Sequence, residues 1–452
     1  MPHPASDDGS TGSSLHLIVP HPVDPSILVR MDATGAPRLP ETVGPTRLGD
    51  LAPIIVAVAD CLGREVTILR IVPLSLTPEH RAGHVLIEIE PLRDAMPPAD
   101  CTWLAHGDLL VASLGPPGIG AALDRWLIEQ RTGTPMSRRP PWSRRGFVDR
   151  ASGWVVDRLV EVGTPAVAPP YLAQLWGLSA ILQAETPAGF VFMKACAKAF
   201  PYEVSITAAV DRVAPGVGPA GVAREDAEGW LLMRDVGGAA LGEAPLERWA
   251  DGLSVLGGLQ RIWPDAEGAI VLEDRGPGTL AASIPGLVED PMLDALPDET
   301  RERLRLAVPR LLDACERITR LGPGPSLVHG DFHPWNVHRS QDRTSIIDWS
   351  DSCSGHPFFD LVTFVGRTQN VEARRAMVAN YLDGWSAHGS RAALEEAARL
   401  ALPLGALHQV ESYRRIVASL EPDDRWDLEE GGQSHARDAV AWLEAGIAAE
   451  GA

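Results

Sequence analysis

Residues 326–351 read SLVHGDFHPWNVHRSQDRTSIIDWSD, and the fold of the chain turns on them. The stretch sets Asp331, Asn336 and Asp348 between two short apolar runs, with steps of five and twelve residues. SLVHGD and TSIIDW each have the character of a short strand running into an acid-bearing loop. Paired as a β-hairpin, they would bring Asp331 and Asp348 to the same end, with Asn336 on the intervening loop. Two carboxylates and an amide oxygen at one spot are hard-oxygen ligands of the kind Mg²⁺ takes together with phosphate oxygens. Asn336 and Asp348 are the expected metal ligands. Asp331, offset from them, is placed to accept a proton from an incoming hydroxyl, the division of labour found in kinase-type phosphoryl transfer.

His329, His333 and His338 surround the acids, but no helix carries them and no cysteine joins them, so a zinc site is disfavoured against loop bracing. Asp360, in FFDLV, reads as a structural acid holding the loop. Asp351 reads as a supporting acid or an exposed one.

Composition sets the outer limits. The chain has 452 residues, 45% of them apolar, which is enough for two to four domains with sizeable cores. No apolar run is long enough to span a membrane, and MPHPASDDGSTGSS lacks the basic and apolar regions of a signal peptide. Residues 1–14 are expected to be a disordered tail. The five cysteines are scattered, which fits a reducing cytoplasm rather than a disulfide framework. A formal net charge of −20 argues against a nucleic-acid or anionic-membrane partner. The main basic cluster, SRRPPWSRRGFVDR, is interleaved with Pro and Ser and reads as a solvated linker over 131–146.

Only two of the 40 basic residues are lysine, Lys194 and Lys198. A compact ammonium at the end of the β-like run FVFMKA therefore stands out in a chain that otherwise uses arginine.

Working outward, residues 15–130 alternate strand-like and helix-like runs and form an expected α+β accessory domain. Their order loosely resembles a Nudix-type domain, but the helix APIIVAVADCLG carries only Asp60 where such an enzyme needs a glutamate-rich helix. An unrelated α+β module fits equally. Next come a helix from GFVDRASGWVVDRLVEVG, strands in YLAQLWGLSAILQAETPAGFVFMKAC with a bend at Gly177, and a helix in FPYEVSITAAVDRV with Pro201 in its first turn. The strand GWLLMRDVGG closes this part at its glycines. From about 240 the pattern is mostly helical, with apolar residues at three and four spacing.

HGDFHPWNV followed by IIDWSDSCSGHPFFDL closely resembles the aminoglycoside phosphotransferase and choline kinase family, a branch of the protein-kinase-like fold. The likeness is tight over 329–361 and extends in layout over about 150–452. It implies a bilobal α+β fold: a β-rich lobe at 147–236, a helical lobe at 237–452 and the separate domain before them. It implies ATP and Mg²⁺ as cofactors and a small-molecule hydroxyl as acceptor, cationic acceptors included. The residue matching Asp331 is the family's catalytic base, and those matching Asn336 and Asp348 bind Mg²⁺. Lys194 is expected on the phosphates, oriented by Glu203, with Ser179 in a reduced phosphate loop and Met233 and Asp235 at the adenine hinge. The chain departs from protein kinases in lacking GxGxxG, DFG and APE segments. A protein kinase, a pseudokinase and a hydrolase built on the N-terminal region are the rival readings. The acid-rich LEPDDRWDLEE, with Trp426, reads as a solvated loop or as a wall for a cationic substrate.

Overall fold

A computed structural model of the chain describes residues 12–45, 48, 51–76, 82–98, 100–109, 114–116, 118–425 and 428–448. Most of the expected N-terminal tail, and Trp426 with Asp427, lie outside the described residues. Two compact units emerge: Met1–Ala188 with Met193–Ala195 and Leu420–Trp426, and the remainder, Gly189–Phe192, Cys196–Ser419 and Asp427–Ala452.

In the first unit, a four-stranded sheet runs in the order Glu41–Val43, Ser14–Ile18, Ala82–Ile89, Ile68–Leu76. Its central pair is parallel and the flanking pairs are antiparallel. A second sheet joins Pro37–Arg38, Ser26–Met31 and Cys101–Ala105. Ile18, Ile27, Val29, Val72 and Leu86 pack with Leu123, Trp126 and Leu127 of the helix Ile119–Thr132. The strand Cys101–Ala105 is not legible in the sequence, because CTWLA is half-exposed and sits beside Pro and Asp instead of alternating cleanly. The hairpin Tyr171–Leu175 with Ser179–Thr186 closes this unit in antiparallel register, with an irregularity between Leu172 and Gln174.

The arginine-rich stretch departs from a solvated linker. Arg139 is buried and pairs with Glu88 and Glu129, which are buried too. Burying a guanidinium is tolerable because two carboxylates, Ser143 and the turn at Pro141–Ser143 surround it. Arg138, Arg144, Arg145 and Arg150 stay exposed. The acid-rich segment is likewise neither solvated throughout nor wholly open to a substrate. Asp423 receives Arg125 and Arg70, and Glu421 accepts the Arg138 backbone N–H at 2.7 Å.

In the second unit, Trp230–Arg234 pairs antiparallel with Gly221–Glu225. The ends of the strand Gly189–Cys196 bond beside it, Asp235 N–H to Phe190 O at 3.0 Å and Cys196 N–H to Gly229 O at 2.9 Å. The following helix is Glu203–Val213. Pro201 lies in the turn before it rather than in its first turn, since the ladder begins with Ile206 N–H on Tyr202 O. Helices then dominate: Ala250–Ile262, Asp298–Ile318, Val371–Asp383, Arg391–Ser419 and Glu429–Ala445. Pro277–Leu287 is a further helix that the sequence conceals, because Gly and Pro punctuate it, with Pro277 in its first turn. The core gathers Phe332, Trp349, Phe358, Phe364 and Trp385, all essentially without exposed surface. Among the described residues, no helix is long and apolar enough to cross a membrane.

Candidate active site

The expected hairpin between SLVHGD and TSIIDW does not form. Ser326–Val328 pairs with Cys353–Gly355, whereas Thr344–Ile346 pairs with Val337–Arg339 in another small sheet. Three-residue strands leave register to their surroundings, so the partner of each cannot be read from its own letters. The loops that follow Val328 and Ile346 are joined instead by side chains.

His329 makes that join. Its Nε2–H donates to Ile347 O at 3.0 Å, and its Nδ1 accepts the Asp331 N–H at 3.3 Å. The two bonds select the neutral Nε2–H form, and complete burial lowers the imidazole pKa in the same direction. The ring also lies against Trp349, with centroids 4.6 Å apart. Gly330 has φ +89°, and a Cβ there would sit 2.3 Å from Asp351 O, so no side chain fits. Asp360 holds the bend, as the sequence suggests: its carboxylate accepts His329 N–H at 2.9 Å, Gly330 N–H at 3.0 Å and Gln260 Nε2 at 3.0 Å. Burial pushes Asp360 up to about 7, against the two backbone N–H groups that favour its ionised form.

The three expected site residues hang from this frame. The Asn336 amide donates to Asp331 O at 3.0 Å, which ties the far end of the loop back to its start. His333 Nδ1 accepts Asn336 N–H at 3.2 Å and caps the short turn Pro334–Asn336. Ile347 N–H donates to Asn336 O at 2.9 Å, bringing Asn336 next to the segment that carries Asp348. Asp348 has φ +62° and is the one non-glycine residue with positive φ among the described residues. A left-handed carboxylate costs on the order of 1 kcal/mol or more and persists where its surroundings fix it, often at functional sites. Ser350 Oγ donates to its Oδ1 at 2.8 Å.

Burial raises the Asp331 pKa, and the neighbouring Asp348 charge raises it further. The Asp331 side chain keeps 45% of its surface exposed, so water moderates both effects. Burial also presses His333 down to about 3, which keeps it neutral 3.7 Å from the Asp331 carboxylate.

Asp351 turns inward: Arg275 donates to it at 2.8 Å and Ser412 binds its other oxygen. Gln409 donates to Gly330 O, and Thr363 Oγ1 to Phe332 O at 2.7 Å. Gln260, Arg275, Gln409 and Ser412 escaped sequence reasoning because helices or loops far along the chain supply them, with no local signal.

The remaining expected site residues sit on several elements. Lys194 is a buried residue of Gly189–Cys196, and Glu203 is the buried first residue of its helix. Ser179 is buried, and its Oγ accepts the Trp176 indole N–H at 2.7 Å. Met233 lies near the end of Trp230–Arg234. Asp235 follows it and accepts Gly237 N–H at 2.9 Å, where Gly237 and Gly238 both have positive φ. Among the described residues, no three His, Cys, Asp or Glu side chains gather as they would around a metal. The Asp331–Asn336–Asp348 set offers two carboxylates and an amide.

Residues 203–399 match the sequence model of the phosphotransferase enzyme family, APH. The matched stretch is under half of the chain. It contains Asp331, Asn336, Asp348, Glu203, Met233 and Asp235, but neither Lys194 nor Ser179. No curated protein matches the chain. Several solved structures are similar to it. A choline/ethanolamine kinase family protein from Mesorhizobium loti is 14% identical, over 66% of this chain and 98% of its own, with a TM-score of 0.47. Choline kinase from Cryptosporidium parvum is 12% identical, over 67% and 96%, with a TM-score of 0.47. A thermostable mutant of the aminoglycoside phosphotransferase APH(4)-Ia, solved with ADP and hygromycin B, is 15% identical, over 65% and 99%, with a TM-score of 0.45.

Proposed function

We propose that the chain transfers the γ-phosphoryl group of ATP to a hydroxyl of a small molecule, with Mg²⁺ bound at Asn336 and Asp348. The observation that carries this reading is the set Asp331, Asn336 and Asp348, held on two loops that His329 joins while Asp360 fixes the bend of the first.

The donors suit Mg²⁺. They are hard oxygens, few enough to leave positions for water and phosphate. The Asp348 charge adds to burial in raising the proton affinity of Asp331, and a cation beside the pair would relieve that repulsion. Once bound, the metal would neutralise charge on the phosphates. Lys194 would add a second positive charge to the phosphates, with Glu203 orienting it and Ser179 in the phosphate loop. Backbone groups near Met233 and Asp235 would meet the adenine.

Asp331 orients the acceptor hydroxyl and takes its proton as the acceptor oxygen bonds to the γ-phosphorus and the bridging oxygen leaves with ADP. Positioning and electrostatics supply most of the catalysis in such a transfer. A net charge of −20 favours a neutral or cationic acceptor over a polyanion. The cytoplasm, where ATP is available and the five free thiols stay reduced, is the proposed compartment.

The test combines MgADP calorimetry with consumption of labelled ATP over a panel of hydroxyl acceptors. Asp331→Asn should lose turnover by about 100-fold or more, the scale of general-base catalysis, and keep its nucleotide affinity. Asp348→Ala should lose the affinity itself. Full turnover in Asp331→Asn, or a wild type that takes up no nucleotide, overturns the proposal.

A further inference from the structure

Within the first unit, the turn between Tyr171–Leu175 and Ser179–Thr186 is fastened from three directions. It closes on itself, with Trp176 N–H on Ser179 O at 3.1 Å and the Trp176 indole on Ser179 Oγ at 2.7 Å. The Trp142 indole N–H then donates to Trp176 O at 2.7 Å. Finally, the segment 420–425 lies against Gly177: a Cβ at Gly177 would meet Asp424 Cβ at 3.1 Å, Asp424 O at 3.3 Å and Leu420 Cδ2 at 3.6 Å.

That segment is itself pinned by residues of the N-terminal α+β region. Arg125 grips Asp423 with two bonds, of 2.5 and 3.2 Å, and Arg70 reaches Asp423 and Asp424 at 3.4 and 3.5 Å. Asp423 and Arg70 are mostly buried, whereas the Arg125 side chain is 38% exposed.

We infer that Arg125, Asp423 and Trp142 are positioning residues for nucleotide binding: they hold the turn 176–179 in its phosphate-facing shape before ATP arrives. The inference rests on the reading above, in which the chain binds ATP and this turn meets its phosphates. A phosphate-binding turn works through backbone N–H groups, and one ordered in advance loses less conformational entropy when the ligand binds. It also gives residues 15–130 a task that needs no active site of their own, since they supply the arginines that hold the brace.

The experiment is MgADP calorimetry on the full chain, with thermal unfolding of the nucleotide-free protein in parallel. Arg125→Ala and Trp142→Phe should each weaken MgADP binding by about fivefold or more, the scale of an ordinary coupling between sites. Arg125→Lys should recover most of the loss, and the unfolding midpoint of the Arg125 variants should stay near that of wild type. Unchanged affinity in these variants of a wild type that binds MgADP overturns this inference alone. A lowered midpoint with unchanged affinity marks a merely structural clamp and overturns it too. A wild type that does not bind MgADP overturns the phosphotransferase reading and this inference with it.

Discussion

Asp360 works at one remove from the chemistry. Its two oxygens take the His329 and Gly330 N–H groups, and Gln260 adds a third donor. In Asp360→Asn the shape survives, but an NH₂ group must now face one of those donors. A buried donor left without an acceptor costs roughly 1–3 kcal/mol, and the amide adds a second unpaired donor. The variant should therefore unfold at a denaturant concentration lower by that amount of stability, and MgADP affinity should fall with it because the loop to Asp331 loosens. Denaturation followed by tryptophan fluorescence reads the first effect and calorimetry the second. An unchanged unfolding midpoint would mean that the loop keeps its bend through Gly330 and His329 alone.

At the level of elements, Gly405 governs how closely the helix Arg391–Ser419 approaches Asp360–Val365. A Cβ on Gly405 would sit 2.7 Å from Phe359 O and 3.0 Å from Val362 Cγ1. Helix propensity favours Ala over Gly by roughly 1 kcal/mol. Overpacking a filled core costs about 1–3 kcal/mol, and here the obstacle is backbone beside Asp360. The steric cost should win, so Gly405→Ala lowers stability, read as a reduced urea midpoint with an unchanged slope. A gain in stability would show that the two helices part without cost.

The same elements show how much was legible beforehand. The five long helices Ala250–Ile262, Asp298–Ile318, Val371–Asp383, Arg391–Ser419 and Glu429–Ala445 follow from three and four spacing, whereas Pro277–Leu287 and Asp360–Val365 do not, and the donor set Asp331, Asn336 and Asp348 follows from residue types and intervals. Strand pairing was not legible, because Ser326–Val328 and Thr344–Ile346 are too short for an alternation to choose a partner. Nor was the fate of the charged stretches. Arg139 and Asp423 look like solvated residues until partners 51 or 298 positions away bury or bind them. A local window holds no term for such partners.

Across the second unit as a whole, acid should be the destabilising direction. His356 and His408 are buried and His435 is largely so, and burial holds each neutral: His356 is pressed down to about 4, His435 to about 3, and His408 well below its ordinary value. Arg275 and Arg415 press on His408 as well, and Arg367 on His435. In the unfolded chain, all three take up a proton near pH 6.5. Their contribution is thus complete above pH 6.5 and is lost as pH falls toward their folded values. Asp360 opposes them. Its folded pKa of about 7 lies above the unfolded value, so its contribution is greatest at low pH and is lost as pH rises through 7. Asp331, also raised, acts with Asp360, but His329 and His333 are lowered too, so the imidazoles outnumber the carboxylates and the sum should fall on acidification. The measurement is the unfolding midpoint of the full chain between pH 7.5 and 4.5 at fixed ionic strength, with hydrogen exchange at Phe358 and Val410 assigning the transition to this unit. The expected outcome is a midpoint that declines below about pH 6.5, with a shallower decline in His435→Gln, which removes one of the three protons. A midpoint that holds or rises toward pH 4.5 would mean that Asp360 and its neighbouring carboxylates outweigh the buried imidazoles.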